Sequence, residues 1–159
     1  MVWGPSDAIC AALQIINHLQ DCAKDYRRND RVYLPRDVLE RHGVSVEALA
    51  ADKASPALRA VIRELAERTM VLLDEGAVLP DLIDDLRLSL EIAAIHRLAV
   101  VLTKGLLTRD PLSEKVHHGK AGFALTALGG IASTLARRPF RSRILRRQST
   151  RVASQGAQS

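Results

Sequence analysis

Residues 14–35, QIINHLQDCAKDYRRNDRVYLP, decide how the rest of this 159-residue chain is interpreted. At about 100° per residue, a helix through residues 9–28 separates a narrow polar stripe from an apolar face. The stripe consists of Gln14, Asn17, Asp21, Asp25 and Arg28. The apolar face, which we expect in the core, consists of Ile9, Ala12, Leu13, Ile16, Leu19 and Ala23.

The composition of this stripe is unusual for a solvated helix face. Asn and Asp are weaker helix formers than Glu, Lys and Arg, because their short side chains compete with the backbone hydrogen bonds. Two Asp residues one turn apart also repel each other. A cation bound by Asp21 and Asp25 would compensate for both effects, and their hard oxygens suit Mg²⁺. An ordinary amphipathic helix with a polar outer side is the alternative that the spacing leaves open.

The neighbours of the two carboxylates extend this prediction to a phosphate ligand. Lys24, Arg28 and Arg31 are close enough in sequence to meet phosphate charge. Gln14 and Asn17 add neutral oxygens and amide donors further along the stripe.

The spacing QxxNxxxDxxxD, followed by RVYLP, resembles the second aspartate-rich motif of the squalene and phytoene synthases, which are head-to-head prenyl transferases. The segment NHLQDCAKDY resembles sequences of the bacterial hopanoid-pathway branch of this family, where squalene is made through presqualene diphosphate and hydroxysqualene. Many members have an acidic residue where this chain has Lys24. The motif positions that match are Gln14, Asn17, Asp21, Asp25, Arg31, Tyr33, Leu34 and Pro35.

The resemblance implies an all-α chain that forms the C-terminal half of the isoprenoid synthase fold. It implies that Mg²⁺ is held by Asp21, Asp25 and Asn17 against the diphosphate of farnesyl or presqualene diphosphate. The implied catalytic residues are Gln14, Asn17, Asp21, Asp25 and Tyr33. The implied diphosphate-binding residues are Arg28, Arg31, Lys115 and Lys120.

Ordinary structural alternatives exist for three residues at family positions, Lys115, Lys120 and His96. Lys115 and Lys120 belong to KVHHGK, which lies where the family has basic residues near the cavity mouth, but this segment also suits a solvated helix start. His96 occupies a position where many relatives have a Tyr that faces the substrate cavity. A partly buried histidine on a core helix is the other interpretation of His96.

Cap and breaker residues predict the remaining helices. Ser6 is the expected N-cap of the first helix, which should end near Arg28. Short helices are expected at 37–42, stopped by Gly43, and at 45–50. Longer helices are predicted from Ser55-Pro56 to Gly76 and from Asp81 to Thr108, the second ended by Asp110-Pro111. A last helix is predicted from Ser113 to Arg137, with Gly129-Gly130 loosening it.

The net charge of +5 comes from the C-terminal end of the chain. Residues 137–151 contain seven Arg and no acidic residue, so the remainder carries about −2. We predict a helical domain over 6–138 and a disordered basic tail over 139–159.

The cysteines and the basic tail bear on location and partners. Two cysteines too far apart on one helix to pair favour a reducing cytoplasm. Contact with anionic membrane lipids is one use for the tail. Nucleic-acid binding is disfavoured, because no reading motif accompanies the arginines.

The sequence contains no second DxxxD motif in a comparable context, whereas complete members of the family have one in their first half. We therefore expect a C-terminal portion of a transferase that is inactive by itself. A non-catalytic helical interaction module and a fragment of a phytoene synthase-type enzyme are the alternatives.

Overall fold

The computed structural model describes residues 2–114, 122 and 124–137, and every regular element in this part of the chain is helical. The all-α prediction is therefore confirmed for the described residues. Lys115, Lys120 and the predicted tail 139–159 lie outside them. The elements are α1 (Trp3–Asn29), α2 (Arg36–Arg41), a 3₁₀ turn (Val46–Ala50), α3 (Pro56–Gly76), α4 (Leu79–Leu82), α5 (Leu86–Thr108) and α6 (124–137).

Helices α1, α3 and α5 enclose the core, with α3 antiparallel to the other two. The end of α3 meets the start of α1, because Gly76 packs against Ile9. His96 of α5 donates from Nε2 to the Leu73 carbonyl near the end of α3, at 2.7 Å. Burial of each aliphatic side chain stabilises the folded state by about 1.5–3 kcal/mol, so this core holds the three helices together. Its largest buried members include Leu19, Leu39, Leu49, Leu58, Ile62, Leu73 and Leu106.

Helix α1 begins four residues earlier than predicted, with Val2 and not Ser6 before its first residue, and it ends close to the predicted position. Ser6 is not the N-cap, because the helix starts at Trp3 and Ser6 is already inside it. Pro5 permits this early start, since a first-turn residue needs no amide hydrogen. At the other end Asp30 is left-handed, with φ 50°, a conformation that Asp tolerates. Its N–H and that of Arg31 donate back to carbonyls of the last turn, both at 3.2 Å.

Helix α2 lies one residue earlier than the predicted range 37–42, whereas the predicted start of α3 is confirmed. Gly43 follows α2 with φ +63°, a conformation available to glycine. Ser55 caps α3 by accepting the Leu58 N–H on its hydroxyl at 3.2 Å, and Pro56 occupies the first helical position.

The helix predicted from Asp81 to Thr108 is interrupted. Residues Leu79–Leu82 form the short α4, and Ile83 is extended. Asp85 then caps α5 by accepting the Leu88 N–H at 2.7 Å. An acidic residue three positions before an amide is a good N-cap, so the chain restarts a helix there instead of continuing one.

The last predicted helix differs at its start. Ser113 lies in a turn, and the described helical part covers 124–137. Both residues of the Gly129-Gly130 pair, which was predicted to loosen this helix, are helical. Gly130 instead allows α6 to approach α5, since a Cβ there would lie 2.6 Å from the Ala93 carbonyl oxygen.

Leu13, predicted to be in the core, is 36% exposed. It lies at the edge of the apolar face of α1, where no described element covers it fully. None of the helices in the described residues is long and apolar enough to cross a membrane.

Candidate functional site

Helix α1 presents Asp21 and Asp25 one turn apart, because its opposite side is anchored in the core through Ile16, Leu19 and Ala23. Both aspartates are partly exposed. The Lys24 ammonium lies 3.3 Å from Asp21 Oδ2, and the Asn29 amide donates to Asp25 Oδ1 at 3.2 Å. Each carboxylate thus has a polar neighbour from its own helix.

A cleft of about 640 Å³ lies between the second half of α1 and residues 111–114. Of the predicted site residues, Asp21 and Arg28 line it. Gln14, Asn17 and Asp25 are not among the lining residues, so the stripe as a whole does not face this cleft. The lining residues are Gln20, Asp21, Ala23, Lys24, Arg27, Arg28, Pro111, Leu112, Ser113 and Glu114.

Asp110 shapes the wall of the cleft opposite α1. Its side chain accepts hydrogen bonds from Ala54 N–H at 3.0 Å, Leu112 N–H at 2.9 Å and the Ser113 hydroxyl at 3.0 Å. Burial alone would raise the pKa of Asp110. The hydrogen bonds and the nearby Arg59 guanidinium outweigh burial and hold this pKa below its usual value. Sequence reasoning identified Asp110-Pro111 only as a helix break.

Two of the charged residues of the cleft, Arg27 and Glu114, are held by other groups of the protein. Arg27 donates to the Ala51 carbonyl at 2.5 Å and lies 3.6 Å from Asp52. Glu114 accepts from Arg109 at 2.8 Å, and this hydrogen bond lowers the pKa of Glu114. Arg28 is exposed. The cleft therefore offers cationic groups beside the Asp21 carboxylate, an arrangement that suits an anion with an accompanying metal ion.

Tyr33 is held beside α1 by His18, a residue that sequence reasoning did not select. The two rings stack with centroids 3.9 Å apart and planes 16° apart. His18 Nδ1 is buried, and no hydrogen-bond partner for it occurs among the described residues. In the sequence, only the position of His18 between Asn17 and Asp21 could have suggested a role in the site. Nothing in the sequence indicates that His18 stacks on a ring 15 residues later.

His96 matches the structural alternative proposed for it. It is partly buried on α5, and its ring donates to a backbone carbonyl of α3. This contact ties two core helices together.

Mg²⁺ is compatible with the donor set on α1. The described residues contain no group of three or more His, Cys, Asp and Glu side chains that could enclose a metal ion. Mg²⁺ typically keeps several waters and binds one or two carboxylates together with substrate phosphates, so it does not require such a cage. Asp21 and Asp25 fit that pattern.

The family model for squalene/phytoene synthase matches residues 2–121. A hydroxysqualene synthase of Rhodopseudomonas palustris is 50% identical over 138 residues, covering 87% of this chain and 47% of the relative. Hydroxysqualene synthases of Zymomonas mobilis and Sinorhizobium fredii are 46% and 42% identical, covering 81% and 87% of this chain and 44% and 47% of their own lengths. The chain thus spans slightly less than half the length of these relatives. No solved structure matches it significantly.

Proposed function

Because the chain belongs to the squalene/phytoene synthase family, within its hydroxysqualene branch, we propose that it contributes the aspartate-bearing helix of an enzyme acting on a prenyl diphosphate. This family has the all-α isoprenoid synthase fold, and the described helices agree with it. The relatives named hydroxysqualene synthase favour farnesyl or presqualene diphosphate as the substrate. A phytoene synthase-type reaction is the alternative.

The observation that carries this proposal is the grouping of Asp21, Lys24 and Arg28 in one cleft. These side chains extend from a helix whose other face is buried, so the backbone beneath them is held firmly. Carboxylates that can accept a divalent cation therefore stand next to cations that can accept a diphosphate.

Asp21 and Asp25, with Asn17 further along α1, are the residues that would hold Mg²⁺. When bound, the metal neutralises charge on the diphosphate leaving group. Arg28 would bind the diphosphate from the cleft side. Further contacts to the diphosphate would come from Arg31, Lys115 and Lys120. Arg28 and Arg31 can engage two phosphate oxygens at once through their planar guanidinium groups.

The other motif residues would act on the organic part of the substrate. Gln14 and Asn17 are exposed on α1 and can orient a water molecule or a substrate oxygen. Tyr33 presents its ring beside the same helix, braced by His18. We also propose a cytoplasmic location, with peripheral contact between the Arg-rich tail and anionic lipids.

The test is product analysis by mass spectrometry after incubation with Mg²⁺ and either farnesyl or presqualene diphosphate. The chain is assayed by itself and after fusion to the part of the Rhodopseudomonas palustris relative that it does not match. We expect Mg²⁺-dependent product in at least one format and loss of that product in both Asp21→Asn and Asp25→Asn. Asp52→Asn, at a fully exposed carboxylate outside the cleft, is the matched control and should retain activity.

Two results would contradict the proposal. One is the absence of Mg²⁺-dependent product in both formats. The other is product formation that persists in Asp21→Asn and Asp25→Asn at the rate of the control.

A further inference from the structure

Lys24 forms an ion pair within the candidate site. Its ammonium lies 3.3 Å from Asp21 Oδ2, and both side chains line the cleft between α1 and residues 111–114. The side chain of Lys24 is 54% exposed and that of Asp21 is 27% exposed. An ion pair at this level of exposure is weak, so its partners can separate when a competing ligand arrives.

Among the described residues, Lys24 is the cation of this cleft that pairs with Asp21, and Arg28 also lines the cleft but forms no ion pair with Asp21. Arg27 is held by the Ala51 carbonyl and Asp52, and Glu114 is paired with Arg109. Asp25, which does not line the cleft, accepts a hydrogen bond from an uncharged amide, that of Asn29. Within the described part of the cleft, Lys24 is therefore the cation that a metal ion at Asp21 would have to displace.

We infer that Lys24 couples the binding of a divalent cation to the binding of diphosphate. Without an anion, the ammonium stays on Asp21 and opposes the metal ion by occupying its ligand and by charge repulsion. When diphosphate enters the cleft, the flexible stem of Lys24 lets the ammonium move to a phosphate oxygen. Asp21 is then released to the metal ion, so each ligand favours the other.

This inference rests on the proposed function and adds a property to it. Coupling between two ligands is reciprocal: if pyrophosphate tightens metal binding through Lys24, the metal tightens pyrophosphate binding by the same factor. Lys24→Met shortens the side chain by one heavy atom and removes its charge. This variant should bind Mg²⁺ alone more tightly than the unmodified chain and bind pyrophosphate alone more weakly.

The first measurement is calorimetric titration of the full 159-residue chain with Mg²⁺ in the absence of phosphate compounds. We expect the Kd for Mg²⁺ to fall about two- to fivefold in Lys24→Met, the size expected for an exposed ion pair. Lys104→Met, at an exposed lysine of α5 that lies outside the cleft, is the matched control and should leave the Kd unchanged. Circular dichroism should show equal helix content in all three proteins.

The second measurement is equilibrium dialysis of labelled inorganic pyrophosphate at fixed free Mg²⁺ and without Mg²⁺. The ratio of the two dissociation constants is the coupling factor. We expect it to be smaller in Lys24→Met than in the unmodified chain and in Lys104→Met. An unchanged Mg²⁺ affinity or an unchanged coupling factor in Lys24→Met would overturn the inference.

The Asp21→Asn variant distinguishes a failure of the inference about Lys24 from a failure of the proposed function. If Asp21→Asn weakens Mg²⁺ binding while Lys24→Met behaves as the unmodified chain, the metal site stands and the role of Lys24 is wrong. If the unmodified chain binds Mg²⁺ neither alone nor with pyrophosphate, both are wrong.

Discussion

At the scale of single residues, Asp110 shows how one buried carboxylate joins distant parts of the chain. It accepts the Ala54 N–H across 56 positions of sequence and also fixes the turn that carries Ser113. The sequence predicted a helix end at Asp110-Pro111, because proline disfavours helix in the residue before it. It could not predict the contact with Ala54, because that contact depends on how α3 and α5 pack.

Replacing Asp110 with Ala should destabilise the protein at neutral pH. The Ala54 and Leu112 N–H groups would lose their acceptor, and an unsatisfied buried donor costs about 1–3 kcal/mol. Urea unfolding at pH 7 measures this loss. Asp52→Ala, at a fully exposed side chain, is the control and should change the free energy of unfolding little.

The effect of Asp110→Ala should also depend on pH. The pKa of Asp110 is lowered in the folded chain, so its ionised form contributes stability above the unfolded pKa of about 3.9. This contribution is lost as the pH falls through the lower folded pKa. The difference between the parent chain and Asp110→Ala should therefore shrink when unfolding is measured at pH 3 instead of pH 7. A difference that grows on acidification would contradict the assignment.

The two cysteines should react at very different rates. Burial raises the pKa of the Cys22 thiol to about 11, whereas Cys10 is exposed on the same helix. Because the thiolate is the reactive form, Ellman's reagent at pH 8 should modify one thiol per folded chain quickly. Cys10→Ser should abolish the fast phase, and addition of urea should restore reaction at Cys22. A fast phase that survives in Cys10→Ser would show that Cys22 is accessible.

At the scale of elements, local chemistry predicted helix ends well where one residue type is required. Ser55 with Pro56, and Gly43 with positive φ, are of this kind. The early start of α1 at Trp3 and the restart of α5 after Asp85 were missed. Val2 precedes α1 and makes no side-chain capping hydrogen bond, so capping chemistry gave no signal for that start. At α5 the signal was present, because the Asp85 carboxylate accepts the Leu88 N–H, but Asp81 in the same segment is also acidic and was the predicted start.

Gly129 and Gly130 form a matched pair for testing how α6 packs on α5. A Cβ on Gly129 meets nothing within 4 Å, whereas one on Gly130 would lie 2.6 Å from the Ala93 carbonyl oxygen. Gly129→Ala should stabilise the chain by up to about 1 kcal/mol through helix propensity. Gly130→Ala should destabilise it by about 1–3 kcal/mol, because the helices must separate. Thermal and urea unfolding check the signs. Equal effects of the two substitutions would contradict the described contact.

At the scale of the whole molecule, the helical period predicted which side of α1 is buried, apart from Leu13. It also placed Asp21 and Asp25 together on the polar side. It could not predict the cleft, because the opposite wall comes from residues 111–114, more than 80 positions later. Nor could it predict His18 as the partner of Tyr33. Periodicity describes one helix, whereas a site requires the packing of several segments.

The distribution of charge over the whole chain leads to the last prediction. Residues 137–151 carry seven Arg and no acid, and the rest of the chain has a net charge of about −2. A cluster of this kind is attracted to anionic lipid surfaces by about 1 kcal/mol per basic residue near the surface, and the attraction falls off within a Debye length. The full chain should therefore co-sediment with vesicles containing phosphatidylserine and not with purely zwitterionic vesicles. Binding should weaken as salt is raised from about 0.05 M to 0.5 M, because the Debye length shortens. Deletion of residues 139–159 removes five of the seven arginines and keeps Arg137 and Arg138. A second variant, in which those five arginines are changed to Gln, tests the charge without changing the length of the chain. Vesicle binding that persists in both variants would show that the tail is not the lipid contact.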